Sequence, residues 1–132
     1  MLTGGKGVHV IAPLVPKAEW PNVKDFAHRL AQAVAQVDPA HFTDALPKAQ
    51  RKGRIFVDYL RNQRGATAVM PYSARARDGA PVAAPVSWKE FEAIEKPSHF
   101  HVRDERELIK RAASKALFGW GRAGPSRPVI AH

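Results

Sequence analysis

Residues 3–14 read Thr3-Gly4-Gly5-Lys6-Gly7-Val8-His9-Val10-Ile11-Ala12-Pro13-Leu14. The three glycines and the lysine form a turn. The β-branched run behind them has the composition of a buried strand. Pro13, Pro16 and Pro21 then interrupt the pattern. A helix is expected from about Val23 to Val37, with Asn22 as its N-cap and Asp25 in its first turn. Val23, Phe26, Ala27, Leu30, Val34 and Val37 fall on one face at helical spacing, and Asp38-Pro39 stops the run. Turn, strand and helix in succession point to an α/β or α+β domain.

Working outward, a loop or short helical turn is expected over Pro39–Pro47. The basic run Lys48–Arg54 then feeds a second strand, Ile55–Leu60. Arg61–Gly65 is a basic turn, and Ala66–Tyr72 fits either a strand or a short helix. Asp78-Gly79, with Pro81, Pro85 and Pro97, marks loops. Ser87 is expected to cap a helix over Trp88–Ile94, with Glu90 at the capping-box position. His99–Arg103 suits a short strand, and Asp104 opens a helix to about Leu117. The end, Gly119–His132, is rich in Gly, Pro and Arg and is expected to be a flexible tail.

Composition narrows the function classes. The chain has 132 residues, 45% hydrophobic and 25% charged, which suits one folded domain with one core. It has no cysteine, which excludes disulfides, cysteine-held zinc, iron–sulfur clusters and a thiol nucleophile. Lys plus Arg is 21 against 12 acids, a formal charge of +9. That sign favours a polyanion partner. The longest apolar stretch is far short of the roughly 20 residues of a membrane span, and no secretory signal is evident. The expected protein is soluble and cytoplasmic.

Four features could carry chemistry. Glycine-rich turns let backbone N–H groups approach phosphate, and Lys6 adds a charge. The spacing is not that of a Walker A loop, and the glycines precede the strand, unlike a dinucleotide fingerprint. A plain polar turn is the competing reading, as a structural histidine is for His9. Asp58 shares a strand face with Phe56 and Leu60 by alternation, a costly place for a carboxylate without a cation or donors. It could bind a metal, act as a base, or pair with a neighbour such as Arg61. Seven basic residues lie between Arg51 and Arg77, with Asp58 as their only acid. Arginine forks suit phosphate; a solvated basic surface is the alternative. Finally, His99 and His101 form a candidate metal pair without a third ligand, while Trp20, Trp88 and Trp120 suit packing anchors.

Taken together these motifs resemble a known family. The segment from Thr3 to Leu14 is similar to a Ser-Gly-Gly-Lys-Gly-Leu-His-Val motif in the polymerase domain of bacterial DNA ligase D, a member of the archaeo-eukaryotic primase superfamily. Arg54-Ile55-Phe56-Val57-Asp58-Tyr59-Leu60-Arg61-Asn62 resembles that family's third motif. Thr67–Arg77, Pro81-Val82 and Pro85-Val86-Ser87-Trp88 continue the match in order, which runs to about Arg103.

The resemblance implies a template-directed polymerase of non-homologous end joining, adding nucleotides to DNA ends beside the end-binding protein Ku and a ligase domain. It implies Mn2+ or Mg2+ held by three aspartates, of which Asp58 matches one, and casts Asp58 and His9 as catalytic. Lys6 and His9 match triphosphate-binding positions; Thr3 stands where serine is usual; Gly4 and Gly5 let the backbone come close. Arg61 and Arg75 match basic residues near the incoming nucleotide, and Arg51 a basic position before the third motif. The family's Asp-x-Asp pair lies upstream of the glycine motif and has no counterpart here. The implied object is thus the carboxy-terminal half of a primase-polymerase fold, over residues 1–118. Its expected sheet is mixed or antiparallel, in an RRM-like arrangement packed by helices. It would be inactive alone, the product of a truncated frame, a split gene or a decayed copy, with a separate chain able to carry the missing half. Its expected location is the bacterial cytoplasm, near the nucleoid. The alternative is a non-catalytic DNA- or nucleotide-binding module.

Overall fold

The computed structural model describes residues 1–14, 17–114 and 117. They form two compact units. Residues 17–68 make a contiguous unit, and residues 1–14 with those from 69 onward make a split unit.

In the contiguous unit, helix α1 runs Trp20–Val37. It starts three residues earlier than the periodicity suggested, with Glu19 rather than Asn22 at the N-cap and no side-chain capping bond. Pro21 does not break the pattern, because it falls in the first turn, where its missing N–H costs nothing and its fixed φ suits the helix. Asp38 ends the helix, its N–H donating to Val34 O at 3.2 Å. Only Ala31 of the helix is buried. Half the expected apolar face is exposed at Phe26, Leu30 and Val37, and Trp20 is 51% exposed, so Trp20 is no packing anchor.

Strand β1, Phe42–Thr43, lies within the segment expected to be loop or helical turn. It pairs in parallel with β2, Ile55–Phe56, and α1 packs against it. The second strand is therefore shorter than Ile55–Leu60: its ladder ends as Val57 N–H donates to Thr43 O at 2.9 Å. The crossover between the strands carries a 3₁₀ turn, Lys48–Arg51.

The split unit is a patchwork of single antiparallel bridges rather than an extended sheet. Leu2 pairs with both Val8 and Ala84, Ala74 with Val82, and Pro81 with His101. The expected strand Val8–Leu14 shrinks to the single bridge at Val8, and Val10 is 75% exposed. A β-branched run has no intrinsic strand stability without a neighbouring backbone to bond. Likewise His99–Arg103 supplies one bridge, then a 3₁₀ turn at Val102–Asp104. Residues 66–72 are neither strand nor helix. They end at Tyr72, at φ 63, whose N–H donates to Ala83 O at 2.7 Å.

The core of this unit is Leu2, Val82, Ala84 and Phe100, with Val86, Ile94 and Leu108 against it. Helix α2, Trp88–Ala93, carries the expected capping box between Ser87 and Glu90. Helix α3, Glu105–Ala112, starts after Asp104 as expected and ends five residues before Leu117. Arg111 on α3 ties the helices together. It pairs with Glu90 at 2.8 Å, donates to Pro85 O at 3.3 Å and lies over the Phe100 ring at 4.6 Å. Trp88 is 72% exposed and does not anchor the core. The expected tail, Gly119–His132, and Trp120 lie outside the described residues. No helix among the described residues is long and apolar enough to cross a membrane.

Candidate functional site

The glycine turn is built around a buried threonine. Thr3 Oγ1 donates to Gly7 O at 2.6 Å and accepts the Gly5 N–H at 3.2 Å, while Thr3 N–H also donates to Gly7 O at 3.3 Å. Gly4, at φ +64, donates its N–H to Pro97 O at 3.1 Å. The turn is thus closed on itself and pinned to the core. Its remaining amides, Lys6 N–H and Gly7 N–H, have no intramolecular acceptor among the described residues, and Lys6 is exposed. His9 is half-buried, its backbone exchanging both bonds with Met1 at 2.8 Å.

Two arginines flank this turn. Arg75 Nη1 donates to Thr3 O at 3.1 Å. A methyl group on Gly5 would lie 3.9 Å from the Arg77 guanidinium carbon. Arg77, the last of the seven basic residues between Arg51 and Arg77, joins the turn here through the fold, and no local sequence pattern marks it. Thr3, Gly4, Gly5, Lys6 and Arg75 therefore gather in the split unit, with Arg77 added. The backbone N–H pair, a lysine and a guanidinium make a concentration of donors with no carboxylate in the turn, which suits an anion.

Asp58, Arg51 and Arg61 lie in the contiguous unit. Asp58 is exposed, not buried on an apolar strand face, because the strand ends before it. Its carboxylate turns to the backbone, Oδ1 accepting the Leu60 N–H at 2.9 Å, and Arg61 Nη1 donates to Thr67 O at 2.8 Å. Arg51 is committed locally: its Nε donates to Ala45 O at 2.9 Å, its Nη2 to Leu46 O, and its guanidinium lies 3.6 Å over the Phe56 ring.

Among the described residues no group of three or more His, Asp or Glu side chains could hold a metal ion. Asp58 offers a single carboxylate, so the residues present do not fit a two-metal centre. His99 and His101 gain no third ligand among the described residues. His99 packs edge-on against Phe100, and His101 faces Asp104 at 3.7 Å. Two open clefts, of about 360 Å³ around Gln32, Gln36 and Arg54 and about 310 Å³ around Glu90, Glu107 and Arg111, are lined by other residues than these candidates.

The family described as the LigD primase-polymerase domain matches residues 1–116. The chain belongs to the LigD primase-polymerase family. It is 43% identical over 111 residues to the multifunctional non-homologous end joining protein LigD of Pseudomonas aeruginosa, covering 84% of this chain and 13% of that protein. It is 30% identical to the bifunctional LigD of Bacillus subtilis, covering 83% of this chain and 18% of that one. The fold agrees. The polymerase domain of Mycobacterium tuberculosis ligase D, solved in complex with DNA, superposes with a TM-score of 0.61 at 32% identity, over 71% of this chain and 31% of that domain. This member of the LigD primase-polymerase family thus spans a small part of its curated relatives, with a mixed α/β architecture of few strands.

Proposed function

We propose that this chain provides the triphosphate-binding part of a primase-polymerase that extends DNA ends in non-homologous end joining. The observation that carries the reading is the Thr3-closed glycine turn, with two amides that have no acceptor among the described residues, Lys6, and Arg75 and Arg77 alongside. Preorganised donors of this kind favour the charge that develops on a transferring phosphoryl group. In this reading Lys6 and His9 face the triphosphate and Gly4 and Gly5 let it approach. Arg61 adds positive charge in the contiguous unit. Arg51, committed to Ala45 O and the Phe56 ring, supports that unit from within.

Asp58 contributes one carboxylate toward Mn2+ or Mg2+. A complete metal centre needs further carboxylates, from more of the polymerase domain or from a separate chain, within an RRM-like sheet larger than the pairings described above. By itself the chain does not carry out nucleotidyl transfer. Ku and the ligase domain are its proposed partners, and the bacterial cytoplasm its location.

The test is ATP binding to the purified chain with and without Mn2+, beside primer extension in the same buffer. Binding without extension is expected, and Asp58→Ala removes any manganese-dependent part of it. Unchanged manganese affinity in that variant overturns the metal assignment, and extension by the chain alone overturns the inactive reading. A second reading, a non-catalytic DNA-binding module, is favoured by the +9 charge. It predicts steeply salt-dependent DNA binding that is indifferent to manganese.

A further inference from the structure

His28 and Lys24 stand one turn apart on the same face of α1. They meet two residues that are also four apart. The His28 ring stacks on Tyr59 with centroids 4.0 Å apart and planes at 15°. Lys24 Nζ donates to Gln63 Oε1 at 2.6 Å. Between these contacts lie Leu60, Arg61 and Asn62, and Asp58 immediately precedes them. The turn has its own internal bonds: Asp58 Oδ1 to Leu60 N–H at 2.9 Å, and Asn62 Nδ2 to Tyr59 O at 3.1 Å. Tyr59 is 9% exposed, whereas Asp58 and Arg61 are exposed. The buried ring therefore holds the segment down while the charged neighbours stay accessible. On its other side His28 Nε2 lies 3.9 Å from Asp44, beside β1.

We infer that α1 acts as a two-point clamp on the Asp58–Gln63 turn, with His28 and Lys24 as positioning residues for Asp58 and Arg61. One attachment would let the exposed turn pivot about it; two attachments, at Tyr59 and Gln63, fix its direction. The helix is stiff and its anchor residues share a face, so both contacts form or fail together with the docking of α1. Neither residue needs to touch a ligand. The inference rests on the proposed reading of Asp58 and Arg61 as groups that meet the nucleotide, and it assigns a role to two side chains outside every motif that signalled the family.

The experiment compares His28→Ala, His28→Phe and the double variant His28→Ala with Lys24→Met in the full chain. Amide hydrogen exchange at Leu60 and Asn62 reports the turn, Val82 in the split unit serves as reference, and ATP affinity is measured alongside. An aromatic stack of this kind supports a change of roughly 3- to 10-fold. His28→Ala is expected to speed exchange at Leu60 and Asn62 by about that factor, with Val82 unchanged, and to weaken ATP binding in step. His28→Phe keeps the stack without the Asp44 contact, and should restore both readouts to within about twofold. Unchanged exchange in the double variant, or no rescue by phenylalanine, overturns the clamp. Arg61→Gln separates the two levels. If it leaves ATP affinity intact while the exchange results hold, the nucleotide role of Arg61 fails and the clamp survives. If Arg61→Gln weakens ATP binding but His28→Ala does not, despite faster exchange, the positioning role is overturned.

Discussion

Replacing Gly4 by alanine tests whether the glycine turn is demanded by geometry. Two costs combine. The backbone sits at φ +64, where a side chain costs about 1 kcal/mol. The added methyl would also meet Arg75 Cγ at 3.0 Å, Val82 C at 3.1 Å and Ala83 N at 3.2 Å. The arginine stem can swing away. The Val82 and Ala83 backbone cannot, because both residues are buried and Ala83 bonds on both sides, to Tyr72 and Ser73. Overpacking of this kind costs about 1–3 kcal/mol, giving about 2–4 kcal/mol in all. Native-state hydrogen exchange at Val82 and Ala84, whose N–H groups bond Phe100 O at 2.7 Å and Leu2 O at 3.1 Å, should accelerate roughly 30- to 1000-fold. Gly7→Ala meets nothing within 4 Å and has no positive φ, so it should leave these amides within about twofold of the parent. Gly65→Ala, with φ +78 but open space, isolates the backbone cost in the other unit, about 1 kcal/mol. The reasoning is refuted if Gly4→Ala and Gly7→Ala exchange alike.

Thr3→Val removes the hydroxyl that closes the turn and should cost about 1–3 kcal/mol in urea unfolding, with ATP affinity falling as well; Thr3→Ser should retain both. The Arg111 guanidinium, hydrogen-bonded to Glu90, holds that carboxyl down from its ordinary 4.5 to about 2. Its contribution is therefore complete above pH 4.5 and is lost as pH falls toward 2. Because Glu90 is 38% exposed, the solvent-screened loss is about 1 kcal/mol, and Glu90→Gln should flatten the stability profile over that window. Arg51→Met should lower the stability of the contiguous unit by about 1–2 kcal/mol, read from Val57 amide exchange. A loss of ATP affinity with that exchange unchanged would instead put Arg51 against the ligand.

Where local chemistry decides an element, the sequence is enough to find it. Ser87 and Glu90 specify both bonds of a capping box within four residues, and α2 begins where they say. Asp38-Pro39 ends α1 for an equally local reason. Strand extent depends instead on partners distant in the chain. Val8–Leu14 and Ile55–Leu60 have strand composition, but among the described residues their ladders end after one or two residues, where no further backbone pairs with them. The same cause moved Asp58. Alternation placed it on an apolar face, yet the strand stops at Phe56 and leaves the carboxylate exposed. Thr3, Lys6 and Arg75 were legible as phosphate-binding types, whereas Arg77 emerged only from the fold that returns it to Gly5. The positions of Lys24 and His28 carried no signal, since a lysine and a histidine on a helix are ordinary until Gln63 and Tyr59 are found opposite them.

The division of the chain into a contiguous and a split unit also sets an order of assembly. Every tie described in the contiguous unit closes within residues 17–68, the longest spanning 39 positions. The split unit must join Thr3 to Arg75, 72 positions apart, and Leu2 to Ala84. Closing so long a loop costs entropy before any contact offsets it. On a ribosome making about 5–20 residues per second, the glycine turn waits roughly 4–20 s after its own synthesis for the segment around Phe100. Through that interval the contiguous unit can already be folded, while Leu2, buried in the finished structure, stays bare. The glycine turn is thus made well before the segments that secure it, and it is there that a chaperone would be needed.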